Sequence, residues 1–413
     1  MVEKKRQVYL DYGATTPVSP EVFSAMEPYF QQKYGNASSI HFVGQEAAEA
    51  VGRARGQVAG FFNCQPEEII FTSGATESNN LALKGVVKKY YARQPGGPRP
   101  HIITTKIDHH CVVDSAKALE KEGLAEVTFL SVDKEGMVNP SDLQAAVKKN
   151  TILVSVIYVN NEIGVVQPLA QLTGLVKRVD PKIIFHTDAV QAAGYFDLDV
   201  TKLGVNLLSL SAHKIYGPKG VGALYIKKGT AVSRMQDGGG HEFGLRSGTL
   251  NVPGIVGLGE AVAQVMRNRE KDIEHVQILR DKLLAGLSQI EGAAVNGSQK
   301  QRSPNNLNMR FANVEGEALL YSLSLAGVAV STASACASKS LKPSHVLLSL
   351  GLPPEQAHSS IRMTLGRYLT DQDINYVIKI FPEIIKKLRQ ISGDVLQKRL
   401  SQKEKRLPDD FGC

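Results

Sequence analysis

A lysine standing between two apolar runs, beside a histidine and a serine, is the first residue of this sequence with evident chemical potential. Ser211-Ala-His213-Lys214 follows the apolar residues Leu207, Leu208 and Leu210, and a turn carrying Gly217, Pro218, Gly220 and Gly222 leads into a second apolar run, 223–226. An amine in such a place can form a Schiff base with a carbonyl group, and burial frees it for that by lowering its pKa. Three further clusters follow apolar runs in the same way. Thr72-Ser-Gly-Ala75-Thr76 comes after Ile69-Ile70-Phe71 and offers backbone N–H groups at a helix start, a setting suited to a phosphate. Asp108-His109-His110 places imidazoles where one could stack on a flat ring and move protons. Phe185-His-Thr-Asp188 ends in a carboxylate that needs a positive partner once buried, and a protonated pyridine nitrogen is one. Taken singly, each cluster has a plain alternative as a helix cap, a structural histidine or a solvated loop lysine.

The elements between these clusters decide among the alternatives. Short apolar runs at 101–104, 127–130, 152–159, 183–186 and 207–210 alternate with helix-like segments at 113–121, 141–148 and 169–179. That alternation predicts βαβ units and a largely parallel sheet with helices on both faces. Ligands of such sheets bind at the carboxyl ends of the strands, where all four clusters fall. A phosphate cradle, a stacking histidine, a pyridine-pairing aspartate and a Schiff-base lysine, in that order on successive strands, describe a pyridoxal phosphate (PLP) site. Helices are expected at 20–29 and 45–61, and a long helical region after Pro253 leads into a second α/β domain. That domain has strands near 306–311 and 328–331 and closes on a helix over 371–391.

Composition agrees with a globular chain. The 413 residues exceed one ordinary core, so a large domain with a smaller one is expected. Hydrophobic residues make up 43% and charged residues 21%, with no apolar run near the roughly 20 residues of a membrane helix. The start, MVEKKRQVYLDYG, lacks the apolar core of a secretory signal, and a cytoplasmic location is expected. Net charge is +8, part of it in the tail 386–406, which reads as a solvated helix or a docking surface for an acidic partner. Neither nucleic acid nor membrane is an expected partner. The cysteines Cys64, Cys111, Cys336 and Cys413 show no CxxC spacing, which disfavours a disulfide framework or zinc site. Cys336 differs from the rest. It lies in Ser331-Thr-Ala-Ser-Ala-Cys-Ala-Ser-Lys-Ser340, a small and polar run that builds little core and suits an exposed, reactive thiol. Cys64 and Cys111 read as packed or incidental, and Cys413 as a thiol without a role.

Motifs spread over essentially the whole chain carry a family likeness: LDYGATTP (10–17), FTSGATESNN (71–80), VNNEIGVVQP (159–168), HTDAVQAAG (186–194), SAHKIYGPKGVGALY (211–225), GGGHEFGLRSGTLNVP (238–253), SACASKSLKPSHVLLSLGL (334–352) and AHSSIRMTLGR (357–367). With them the chain resembles the NifS/IscS branch of the cysteine desulfurases, PLP enzymes of fold type I in the class V aminotransferase group. The resemblance implies a mainly parallel seven-stranded sheet in a large domain, 18–264, and a smaller α/β C-terminal domain, 265–413. The latter would carry a mobile cysteine loop at about 331–342 and the basic tail, and segment 1–17 would pack with it.

The resemblance also implies roles. Lys214 would hold PLP as a Schiff base, Asp188 would pair with the pyridine nitrogen, and Gln191 and Asn161 would hydrogen-bond near the phenolic oxygen. His109 would stack on the ring and act as acid and base. Ala75, Thr76, Ser211 and His213 would hold the phosphate, and Thr249 would reach the phosphate in a second subunit, which implies a homodimer. Arg362, aided by Asn36 and Asn161, would bind the amino-acid carboxylate, for which the guanidinium fork is suited; the alternative for Arg362 is a bracing ion pair. L-cysteine would become L-alanine, its sulfur captured as a persulfide on Cys336. An acceptor protein would then receive it, an iron–sulfur scaffold or another partner in thiolation. No resident metal is implied, although Cys336 would be a transient ligand to an iron–sulfur cluster. STASACASKS has Ala333 where relatives have glycine, GNASS lacks a proline common after the asparagine, and Gly13 stands where serine or alanine is usual. A selenocysteine lyase, another class V PLP enzyme and a non-catalytic scaffold of the sulfur machinery stay open as alternatives.

Overall fold

Strands that are apolar on both faces can persist only with helices on each side, and this requirement shapes the larger part of the chain. The structure, a computed structural model, describes residues 6–332 and 343–404, with side chains described through residue 391. The described residues fall into two compact units. One comprises Tyr12–Glu274 with Gly297–Pro304, and the other the described parts of Met1–Asp11, His275–Asn296 and Asn305–Cys413.

The first unit is built on a seven-stranded sheet in the order Ile69–Thr72, Gly222–Ile226, Leu207–Ser211, Ile184–Asp188, Thr151–Ser155, His101–Thr105, Glu126–Leu130. Only Gly222–Ile226 runs antiparallel to its neighbours. Alternate strand residues enter two cores. Ile103, Val154, Phe185 and Leu208 join one cluster with the helices Phe42–Phe62 and Leu169–Val179. Ile102, Leu153 and Leu207 join the other with the helices Ala75–Arg93 and His110–Lys121. The expected α/β fold with a mainly parallel sheet is therefore what the chain adopts. The helix expected over 20–29 is divided into Pro20–Met26 and Pro28–Gln31, because Pro28 has no N–H to continue the ladder.

The second unit holds a four-stranded sheet in the order Ser331–Thr332, Ser360–Thr364, Asn306–Phe311, Ala293–Val295. A short parallel pair joins Val8–Tyr9 to Val328–Ala329. Its last helix runs from Asp371 to Glu404, past the end expected at residue 391. The extra turns are rich in Lys, Gln, Arg and Glu, good helix formers that a single Gly393 does not outweigh. No helix among the described residues is long and apolar enough to cross a membrane, and no described group of His, Cys, Asp and Glu is arranged to hold a metal.

Two buried histidines tie the parallel strands together. His101 hydrogen-bonds the hydroxyls of Thr151 (2.8 Å) and Thr128 (2.8 Å), each on a neighbouring strand. His186 does the same with Ser155 (2.8 Å) and Ser209 (3.1 Å). Burial pushes His101 down to about 4 and His186 to about 3, so both stay neutral. The unfolded chain binds these protons at the ordinary value of about 6.5. Native stability therefore falls as pH drops below about 6.5 toward 4. Between pH 7 and pH 5 the two histidines together should cost about 3–4 kcal/mol of stability, so denaturant titrations of His186→Asn should show a loss smaller by about 2 kcal/mol than the parent chain; equal losses would contradict this.

Candidate active site

Parallel strands deliver their last residues to one edge of the sheet, and the helix that follows each strand starts there. Asp188 is the last residue of its strand and sits beside Ser209 of the next, two residues before Ser211 closes that strand. Gly222 lies opposite both Ser211 and Thr72. A Cβ at Gly222 would come within 2.5 Å of the Leu210 carbonyl and 2.8 Å of Gly74 Cα, so only glycine lets the Thr72–Gly74 turn close over the sheet. The 19-residue helix Ala75–Arg93 consequently begins over Ser211: a Cβ built on Gly74 would lie 3.9 Å from the Ser211 hydroxyl. Gly74 has φ 148° and lends no side chain to cap this helix. Ala75 and Thr76 form its first turn, leaving positive dipole density above Ser211. Glu77, in that same turn, would oppose an anion, but it is paired with Arg246 (2.8 Å) and accepts from Ser73 N (2.7 Å). These bonds hold its carboxyl below the usual range although burial acts against them.

The lysine turn is stapled by residues near the amino terminus. His213 and Lys214 belong to a single 3-10 turn, Ala212–Lys214. Thr16 brackets it: its N (2.9 Å) and hydroxyl (3.0 Å) donate to the His213 carbonyl, and its hydroxyl accepts from Tyr216 N (2.8 Å). Lys214 Nζ donates to the carbonyls of Gly13 (2.6 Å) and Ala14 (2.7 Å). Gln191 Nε2 donates to the same Gly13 carbonyl at 3.0 Å, which brings Gln191 to the lysine. His213 Nδ1 lies 3.1 Å from the Thr15 hydroxyl, and burial first, then Lys214, pushes its pKa down to about 4. Sequence reasoning missed Thr15 and Thr16 as positioning groups, although the LDYGATTP motif contains them.

Asp188 is buried, and neutral groups satisfy it. Asn79 Nδ2 donates at 2.7 Å and Val190 N at 3.0 Å. Among the described residues no cationic side chain forms an ion pair with it. His109 caps the helix His110–Lys121 and accepts from Cys111 N at 3.2 Å. Its pKa is lowered, chiefly by burial and further by Lys214 and His110, while Asp188 and Asp114 oppose the shift. Hydrogen bonds link His109 through Cys111 and Asn79 to Asp188, and Lys214 acts on the same imidazole electrostatically. Asn161 lies in the turn after Val159, which Asn160 braces to the segment before His109 by donating to the Ile107 carbonyl (2.7 Å). Asn160 also accepts from Glu162 N and Ile163 N, both at 2.9 Å. Next to His109, buried Asp108 accepts from Thr104 and Thr105, and burial pushes it up to about 7.

The remaining expected residues have the following surroundings. Asn36 is exposed and accepts from Ser38 N at 2.9 Å in a local turn. Thr249 is exposed on the loop that Arg246–Glu77 holds from one side. From the other side Arg55 grips Glu242, which also accepts from Phe71 N at 2.7 Å. Arg362, in the second unit, pairs with Asp11 at 2.8 Å, the bracing bond that stood as its alternative. Cys336 and Cys413 lie outside the described residues. Cys111 is no bystander: its Sγ lies 2.9 Å from His109 Nδ1 and 3.0 Å from Asn79 Nδ2.

The residues present fit PLP. A buried carboxylate with neutral donors suits a pyridinium, a helix start over Ser211 without a side-chain cap suits a phosphate, and a lysine held by two carbonyls suits a Schiff base.

Comparison with known proteins agrees. The family model described as aminotransferase class-V matches residues 8–377. A relative named cysteine desulfurase IscS, from Dictyoglomus turgidum, is 50% identical over 389 residues, covering 94% of this chain and 97% of that protein. Among solved structures, a NifS-like protein superposes with a TM-score of 0.86 at 38% identity, covering 93% of this chain and all (100%) of the other. One titled SspA in complex with cysteine matches with a TM-score of 0.77 at 34% identity, covering 88% and 100%. Identity of this extent over nearly the full length leaves one conclusion: the chain belongs to the class V aminotransferase family, and within it to the cysteine desulfurases of the NifS/IscS type.

Proposed function

We propose that this chain is a PLP-dependent enzyme that takes sulfur from L-cysteine, releases L-alanine and holds the sulfur as a persulfide on Cys336. The observation that carries the reading is the end-to-end likeness to a named cysteine desulfurase, 50% identical across 94% of the chain. The fit of the Asp188, His109 and Lys214 cluster to PLP supports it.

When bound, PLP supplies an electron sink for the carbon skeleton of an amino acid. Lys214 would hold the cofactor through its amine, with the Gly13 and Ala14 carbonyls fixing the direction of Nζ. Asp188 would keep a proton on the ring nitrogen, and Asn79 would keep Asp188 in place. The first turn of Ala75–Arg93, Ser211 and His213 would bind the phosphate. Gln191 and Asn161 would reach the ring from the side of the lysine turn and the Val159 turn. With its pKa held below the ordinary value, His109 is neutral at pH 7 and able to take a proton from substrate; Lys214, once displaced, would return one. Arg362 would bind the substrate carboxylate, exchanging or sharing its bond to Asp11, with Asn36 assisting. The Cys336 thiolate would then form an S–S bond with the substrate sulfur as the C–S bond breaks. The C–S electron pair stays on carbon, which takes a proton and becomes the methyl group of alanine. A sulfur acceptor protein would collect the persulfide, and the basic tail is a candidate for its docking surface.

A homodimer is part of the proposal. Tyr34, Ile40 and Phe42 expose 72%, 91% and 82% of their surfaces within one short stretch, an apolar patch suited to a second copy. Thr249, exposed on its clamped loop, would then serve the neighbouring cofactor.

Three outcomes are expected. Purified protein should show a PLP absorbance band near the visible edge that Lys214→Ala loses; a colourless protein that PLP cannot reconstitute would favour a scaffold. Cys336→Ala should keep the band yet lose sulfide release from cysteine by about a hundredfold or more, and turnover at the wild-type rate would sink the persulfide step. Light scattering should report two chains per particle, and Ile40→Glu with Phe42→Glu should shift the mass toward one.

A further inference from the structure

We infer that Cys111 is a positioning residue that, with Asn79, links the Asp188 carboxylate to the His109 ring and sets which nitrogen of that ring carries the proton. The inference extends the reading of His109 as an acid and base, and it rests on the direction of four hydrogen bonds.

Asp188 starts the chain of bonds. Its Oδ2 can only accept when ionised, so the Asn79 atom 2.7 Å away is the amide nitrogen. That NH2 group has two hydrogens, and the second is directed to Cys111 Sγ at 3.0 Å. Burial, reinforced by the charge of Asp188, pushes the Cys111 thiol up to about 12, so sulfur keeps its proton. Having accepted from Asn79, the thiol donates to His109 Nδ1, 2.9 Å away. The Cys111 backbone N–H donates to the same Nδ1 at 3.2 Å. An Nδ1 that accepts two donors carries no proton, so the neutral ring has its hydrogen on Nε2. Protonation at Nδ1 would turn both donors against the ring. The relay therefore favours neutral imidazole and adds to the burial that already lowers its pKa. The charged groups acting on His109 are Asp188 from its strand, Lys214 from the 3-10 turn, and His110 and Asp114 from its own helix.

A cysteine does this where an apolar residue of similar size cannot. Cys111 is half-buried, packed against the core formed by the helices on its side of the sheet. Its sulfur both accepts and donates, which is what a link between an amide donor and an imidazole acceptor requires. Serine could replace it; valine would fill the space but end the relay. The thiol is poorly ionised, so its contribution is orientation and not nucleophilic attack.

The test is nitrogen NMR of PLP-loaded protein carrying ¹⁵N-labelled histidine, repeated without PLP, with His109 assigned through His109→Asn. Wild type should show the Nε2–H form. Cys111→Val keeps the backbone donor to Nδ1 but loses the thiol, and should raise the share of the Nδ1–H form and the His109 pKa by about half a unit or more. The acidic limb of the kcat profile should move up with it, while KM for cysteine stays within about twofold. Cys111→Ser should restore tautomer, pKa and pH limb, and Asn79→Ala should shift them as Cys111→Val does. Should Cys111→Val fail to fold, Cys111→Ala gives the same reading. An unchanged tautomer and pKa in the valine or alanine variant, or a serine variant that shifts as far, would overturn the inference. The NMR measurement needs no turnover, so a failed desulfurase reading would be seen separately, as normal tautomer behaviour in a protein without cysteine activity.

Discussion

A carboxylate buried at the end of a parallel strand, with no cationic side chain paired to it among the described residues, is the constraint on which the rest of this structure depends. Burying Asp188 costs free energy that Asn79 and the Val190 N–H offset only in part. The cationic ring proposed for this site would complete the compensation. The groups near Asp188 are consistent with such a ligand. His109 is kept neutral, Cys111 is kept protonated, and the lysine that would hold the ring is tied to two carbonyls instead of to the carboxylate. Were Lys214 paired directly with Asp188, the pair would satisfy itself and leave nothing for a ligand.

Close backbone approach is the second requirement. The helix beginning at Ala75 reaches Ser211 because Gly222 carries no side chain in the contact and Gly74 adopts φ 148°, which L side chains rarely take. Glu77, in the first turn of that helix, would repel a phosphate if left alone, and Arg246 removes the difficulty. Arg246 belongs to a loop held a second time by Arg55 and Glu242, where Glu242 and Phe243 both adopt left-handed backbone at φ 47° and 55°. Such conformations persist where surrounding bonds over-determine them. Here a buried bidentate ion pair does so, with the Arg55 guanidinium stacked 4.6 Å from the Phe71 ring and 5.1 Å from the Phe243 ring.

The strands themselves are tied by neutral imidazoles. His101 and His186 bridge hydroxyls on the strands flanking their own, adding side-chain bonds to the backbone ladders of the sheet. The rigidity matters for chemistry, because Asp188 is two residues beyond His186 and takes its position from the same strand. In the second unit, Arg362 stands opposite Ser331 across paired strands and is bonded to Asp11. A guanidinium already ordered by a carboxylate can receive another carboxylate without being localised anew.

Much of this was legible in the sequence because its signals are local. Apolar runs at strand spacing determined the sheet, and the polar residues after them marked its carboxyl edge. Lys214, Asp188, His109 and Thr72–Thr76 could be singled out on that basis alone. Motif likeness across the whole chain then determined the family, which no single cluster could. What the sequence left open depends on contacts between distant segments. Thr16 bracketing the lysine turn about 200 residues away is one such contact, and Gly74 meeting Gly222 is another. Cys111 is the sharpest instance. As a letter beside His109 it looked incidental, because its meaning comes from Asn79, 32 residues earlier, which holds Asp188, 109 residues later. Only the tertiary structure could decide that, since hydrogen-bond direction and burial exist only once the strands and helices have met.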